Sequence, residues 1–98
     1  MAEQIDPSEK SFVIAQIGCF FPGLTILAFG SRIRGGSHRY SDLDIALDAK
    51  GPLDTRKLSQ LRECLAASNL PFLVDIVDIS TVSEEFRRLI ESSSAVWG

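Results

Sequence analysis

A chain of 98 residues holds one small core and leaves no length for a separate substrate-recognition domain, so a single domain over residues 1–98 is expected. Hydrophobic residues at 45% and charged residues at 23% exclude a disordered or fibrous chain. The net charge of −3 argues against a long nucleic-acid substrate, because proteins that grip phosphate backbones usually carry a basic excess or a basic stripe.

The start MAEQIDPSEK is acidic and polar where a signal peptide would be basic and then apolar. The most apolar stretch, CFFPGLTILAF, is broken by Pro22 and Gly23 and falls short of the roughly 20 residues that span a bilayer. A cytoplasmic protein without membrane contact is the expectation. Cys19 and Cys64 lie far apart, lack metal-type spacing and sit inside apolar patterns, which predicts two buried, inert thiols.

Along the chain, Asp6-Pro7-Ser8-Glu9 predicts a helix start with Asp6 as N-cap, Pro7 at the first helical position and Glu9 reaching back. Val13, Ile14, Ile17, Phe20 and Phe21 continue it at helical period, up to Pro22-Gly23. Leu24 to Phe29 reads as a buried strand that ends at Gly30-Ser31. Arg32 to Tyr40 reads as a cationic loop or short helical turn. Asp42 to Leu47 alternates, with Leu43, Ile45 and Leu47 on one face of a second strand. Pro52 to Ser68 is a predicted helix with Leu58, Leu61 and Leu65 on one side, and Phe72 to Ile79 a third strand. Thr81-Val82-Ser83-Glu84 resembles a capping box before a last helix striped by Val82, Phe86, Leu89 and Ile90. The tail SSSAVWG is expected to be loose. The order helix, strand, strand, helix, strand, helix describes one α/β (α+β) domain.

Chemistry concentrates on the strand ends. Residues i and i+2 of a strand leave the same face, so Asp42 and Asp44 place two carboxylates side by side, about 6.5–7 Å apart at their backbones. Such a pair suits a hard divalent ion, which takes oxygen ligands and leaves room for phosphate oxygens. Of the third strand's acids, Asp75 and Asp78 differ in parity, so only one of them faces that pair. Asp75 is favoured, because mid-strand among Leu73, Val74, Ile76 and Val77 a carboxylate without a partner would be costly, and it could serve as general base. Gly30-Ser31, at a strand-to-turn junction, can cradle phosphate oxygens, with Arg32 and Arg34 adding charge and Gly35-Gly36 letting the loop bend. A glycine-serine turn or an isolated D-x-D is each weak alone. The combination G-S-x10-D-x-D arises by chance in a chain this long about once per thousand sequences.

The segment GSRIRGGSHRYSDLDIAL, Gly30 to Leu47, resembles the signature of the polymerase β-like nucleotidyltransferases, above all their minimal single-domain members. Gly30 and Ser31, then Arg34 and Gly35, then Ser41, Asp42 and Asp44 carry its Gly-Ser, Arg-Gly and Ser-Asp-x-Asp pattern, and Val74-Asp75-Ile76-Val77 resembles the context of its third acid. Two departures stand out: Ile33 replaces a usual alanine, which would narrow the pocket beneath the phosphate turn, and Asp78 adds an acid beside the expected one.

The resemblance implies a small mixed sheet of three or four strands flanked by helices. It implies catalytic and metal-binding roles for Asp42, Asp44 and Asp75, with nucleotide binding by Gly30, Ser31, Arg34 and Ser41. The expected metal is Mg²⁺ or Mn²⁺, and the expected substrate ATP or another nucleoside triphosphate. Minimal members resemble half of a toxin–antitoxin system, paired with an adjacently encoded, all-helical HEPN protein. The implied reaction moves AMP onto a hydroxyl of that toxin, and both homo- and hetero-oligomers are compatible with it. A non-catalytic module that neutralises the partner by binding, and a transferase acting on a small molecule such as an aminoglycoside, are the alternative expectations.

Overall fold

The structure is a computed structural model that describes residues 5–34 and 42–97. Helix α1 spans Pro7–Phe20 and starts as the sequence predicts: the Asp6 side chain accepts from the Ser8 backbone N–H at 2.8 Å, and Glu9 completes the capping box. It buries Val13 and Ile17. Strand β1 (Thr25–Phe29) follows, then the short helix α2 (Ser31–Arg34), strand β2 (Leu43–Asp48) and helix α3 (Thr55–Ala66). Asp54 caps α3 by accepting from the N–H groups of Arg56 and Lys57, so this helix begins later than its apolar pattern suggests. Strand β3 (Val74–Asp78), a 3₁₀ turn (Ile79–Thr81), helix α4 (Glu84–Ser93) and strand β4 (Ala95–Val96) complete the chain.

The four strands form one mixed sheet in the order β3-β2-β1-β4. β1 runs antiparallel to β2 and to β4, while β2 and β3 run parallel. Side-chain alternation then divides the sheet into two faces. Ile26, Ala28, Leu43, Ile45, Leu47 and Ile76 turn toward α1 and α3 and form the larger core. Leu27 and Ala46 turn the other way, beneath Ile79 and the fully buried Ile90, with Phe29, Val77 and Phe86 packed alongside. Helices therefore cover one face fully, whereas α4 covers only part of the other.

Several expectations are corrected here. The tail is a strand: Ala95 and Val96 pair with β1, the Trp97 N–H donates to the Ile26 carbonyl at 2.8 Å, and its indole is buried in the larger core beneath the Lys10 ammonium. Sequence periodicity misses it because a two-residue strand is too short to show alternation. Cys19 and Cys64 are both exposed. Cys19 lies two residues, about 200° of helical turn, beyond the buried Ile17, and so faces outward. Ser83, not Thr81, caps α4 by accepting from the Phe86 N–H, because residues 79–81 are already taken by the 3₁₀ turn. No described helix is long and apolar enough to cross a membrane.

If Trp97 is part of the core, Trp97→Ala lowers unfolding stability by about 3 kcal/mol, a large share of what a domain this size possesses. Urea denaturation checks this. A variant within about 0.5 kcal/mol of the parent would return the tail to the surface.

Candidate active site

The uncovered part of the second sheet face carries the acids. β2 and β3 pair so that Asp44 stands opposite Asp75 and Ala46 opposite Val77, which puts both carboxylates on the face that α4 leaves open. Asp44 also stands opposite Phe29, the last residue of β1, so the turn at Gly30 arrives beside it. Gly30 adopts φ +87°, and a methyl group built there would collide with the Asp44 carboxylate oxygen Oδ2. Glycine is required here twice over, by its backbone and by the carboxylate lying across it. Gly30, Asp44 and Asp75 border one cleft of about 350 Å³, walled on its far side by Phe86 and Leu89 of α4.

Asp42, just before β2, is exposed and opens onto a neighbouring groove with Phe72 and Leu73, although its charge still reaches Asp44. Burial pushes the Asp44 carboxyl above the usual carboxylate range, and the negative charges of Asp75 and then Asp42 push it further the same way. Asp75 is exposed rather than enclosed: β3 is an edge strand, so the desolvation argument for choosing it fails, while the parity argument holds.

Asp78 is excluded from the cleft by other employment. Buried behind the opposite face, it accepts from the Leu53 N–H at 2.9 Å and from the Ser80 hydroxyl and N–H at 2.8 and 2.9 Å. Burial alone would raise its pKa, but these donors outweigh that and hold it below the ordinary value. It ties the end of β3 to the segment before α3. Asp48, at the far end of β2, pairs with Lys50.

Other sequence expectations divide. Arg32 is buried, with its guanidinium 4.2 Å from the centre of the Phe72 ring, so it packs in the fold instead of neutralising phosphate. Ile33 is buried in the larger core and does not narrow the cleft. Ser31 and Arg34 open and close α2, while Gly35, Gly36, His38 and Ser41 lie outside the described residues. The apolar wall from α4 is a part of the cleft that the sequence does not single out, since its stripe shows a helix's apolar side without showing what that side faces. A larger hollow of about 430 Å³ lies by Phe12 and Leu70, but it has no paired acids, and its one carboxylate, Glu9, belongs to the α1 cap.

Among the described residues, no three acidic, imidazole or thiol groups stand close enough to hold a metal as placed. The donor set nevertheless fits a hard cation: the carboxylates repel one another, burial and the charges of Asp75 and Asp42 both raise the pKa of the half-buried Asp44, and the glycine turn leaves space that a side chain would fill.

The comparisons with known proteins agree with this fold. The profile described as Polymerase beta, Nucleotidyltransferase matches residues 24–96. A Haemophilus influenzae protein named "Probable protein adenylyltransferase MntA" is 45% identical over 86 residues, 88% of this chain and 75% of its own length. A crystal structure of a toxin–antitoxin with AMP-PNP superposes with a TM-score of 0.77 at 30% identity, over 91% of this chain and 72% of that one. A complex of tri-AMPylated Shewanella oneidensis HEPN toxin with MNT antitoxin gives a TM-score of 0.72 at 27% identity, over 93% and 70%. The chain belongs to the polymerase beta nucleotidyltransferase family and is a minimal nucleotidyltransferase.

The Asp44 shift has a definite sign in stability. Its raised folded pKa means that the native state holds this proton more tightly than the unfolded chain, so ionised Asp44 destabilises the metal-free protein at neutral pH. That penalty is complete above the folded pKa and disappears as pH falls toward the unfolded value of about 3.9. Asp44→Asn therefore melts above the parent at pH 7 without divalent ions, and the gap closes in acid. Calorimetry across that range checks it; a variant less stable than the parent at pH 7 would contradict the sign.

Proposed function

We propose that this protein moves AMP from ATP onto a hydroxyl of a helical HEPN-type partner and so acts as the antitoxin of a pair. The observation that carries the reading is the register of Asp44 against Asp75 beside the Gly30 turn. The relative named as a probable protein adenylyltransferase, and the solved HEPN toxin bearing AMP groups, support the acceptor class.

Asp42, Asp44 and Asp75 are the residues that would hold Mg²⁺ or Mn²⁺. When bound, the cation neutralises the charge developing on the phosphate oxygens. Gly30 and Ser31, with Arg34 and Ser41, hold the triphosphate. Asp75, exposed on the edge strand, takes the proton of the incoming hydroxyl. The acceptor oxygen bonds to the α-phosphorus, the bond to the bridging oxygen breaks, and pyrophosphate leaves.

Transfer of label from α-³²P ATP with Mg²⁺ to the HEPN-type partner tests the proposal. The parent labels the partner, and the double variant Asp42→Asn, Asp44→Asn, still folded, loses at least about a hundredfold in rate. No transfer from any of the common nucleoside triphosphates, with partner binding intact, would make the chain a neutralising binding module instead.

A further inference from the structure

The α4 wall of the cleft has no role in the chemistry above. Phe86 is anchored edge to face against Phe29, with ring centres 5.8 Å apart, and Leu89, three residues on, is 53% exposed although it turns toward the cleft that holds Asp44 and Asp75. The outer side of α4 carries two ion pairs, Arg88 with Glu84 and Arg87 with Glu91. An uncovered leucine on the inner side of an otherwise well-segregated helix lacks a partner that folding supplies.

The strand order says what that partner is. Gly30, Asp44 and Asp75 follow one another across β1, β2 and β3. In an in-line displacement the attacking and leaving oxygens lie on one line through phosphorus. With pyrophosphate at the Gly30 end and the acceptor at the Asp75 end, that line runs across the strands. The nucleoside, a third substituent on the same phosphorus, leaves at a large angle to it. Along the strands, the cleft continues past Val77 to Phe86 and Leu89.

We infer that the Phe86–Leu89 face of α4 is the nucleoside subsite, holding the base by apolar contact. The inference rests on the nucleotidyl-transfer reading and deepens it. It also sets specificity. Among the described residues the wall offers Phe29, Val77, Phe86 and Leu89, and its one hydroxyl, on Ser93, already donates to the Leu89 carbonyl at 2.6 Å. Every base has an apolar π-face, so contact without directed hydrogen bonds tolerates different bases. Strong discrimination needs a site built to pair a particular polar edge. The subsite therefore accepts purine triphosphates with little preference.

Binding of Mg²⁺-ATP, Mg²⁺-GTP and Mg²⁺-tripolyphosphate to the parent and to Leu89→Ala separates the contributions. Leu89 is largely exposed, so the variant folds, as circular dichroism verifies. The expected result is a fivefold to tenfold loss of ATP affinity, roughly what removing one buried leucine contact gives, with tripolyphosphate affinity unchanged. Parent affinities for ATP and GTP agree within about threefold on the same argument. Unchanged ATP affinity in the variant, an equal loss for both ligands, or a hundredfold preference for one purine would each overturn the subsite while leaving nucleotidyl transfer standing. A parent that binds neither ATP nor tripolyphosphate would overturn both.

Discussion

Two carboxylates held side by side on a sheet face repel each other, and the parallel pairing of β2 with β3 enforces that repulsion. Asp44 and Asp75 are opposite in register, and Asp44 is partly buried, so the fold holds an electrostatic strain in place. Much of the surrounding structure can be understood as holding this register. Apolar residues at alternate positions, from Leu43 to Leu47 and at Ile76, lock both strands onto α1 and α3, and slipping β3 by one residue would turn Ile76 outward and Asp75 inward. Asp78 fixes the strand's end by tying it to Leu53, and the Arg62 guanidinium donates to the Ile76 carbonyl at 2.7 Å.

The two faces of the sheet have divided the work. One face is sealed by α1 and α3 and finished by Trp97 from the far end of the chain, which supplies a continuous core to a domain that has little length to spare. The other face is only half covered, because α4 packs through Ile90 and Phe86 and stops short of the acids. The cleft is the space left over. Its polar end comes from strand residues and its apolar end from a helix, so on the proposed reading phosphate chemistry and nucleoside contact are built from different elements.

Much of this was legible in the sequence where a local rule sufficed. The Asp6 cap and the alternation of β2 follow from short-range geometry, and parity separated Asp75 from Asp78, whereas Asp42 precedes the strand and opens onto a neighbouring groove where parity had placed it beside Asp44. What chose between those two was invisible: Asp78 is committed to a backbone N–H 25 residues away, a contact that no pattern encodes. Burial was likewise misjudged for Asp75, because an apolar run does not reveal that its strand lies at the sheet edge. The tail failed for a related reason, since Ala95 and Val96 become a strand only by pairing with β1. The part played by the α4 stripe in the cleft is not legible either, because periodicity finds a helix's apolar side without saying how far the opposing surface extends beneath it.

The central claim is that Asp44 and its neighbouring carboxylates form a cation site completed by a nucleotide. Titration of Mn²⁺ followed by electron paramagnetic resonance, with a non-hydrolysable ATP analogue present, tests it without relying on turnover. The account predicts tight uptake of Mn²⁺ by the parent that depends on the nucleotide and is lost in Asp44→Asn. Equal uptake by parent and variant would contradict it, and would leave the paired acids of β2 and β3 without the partner their placement demands.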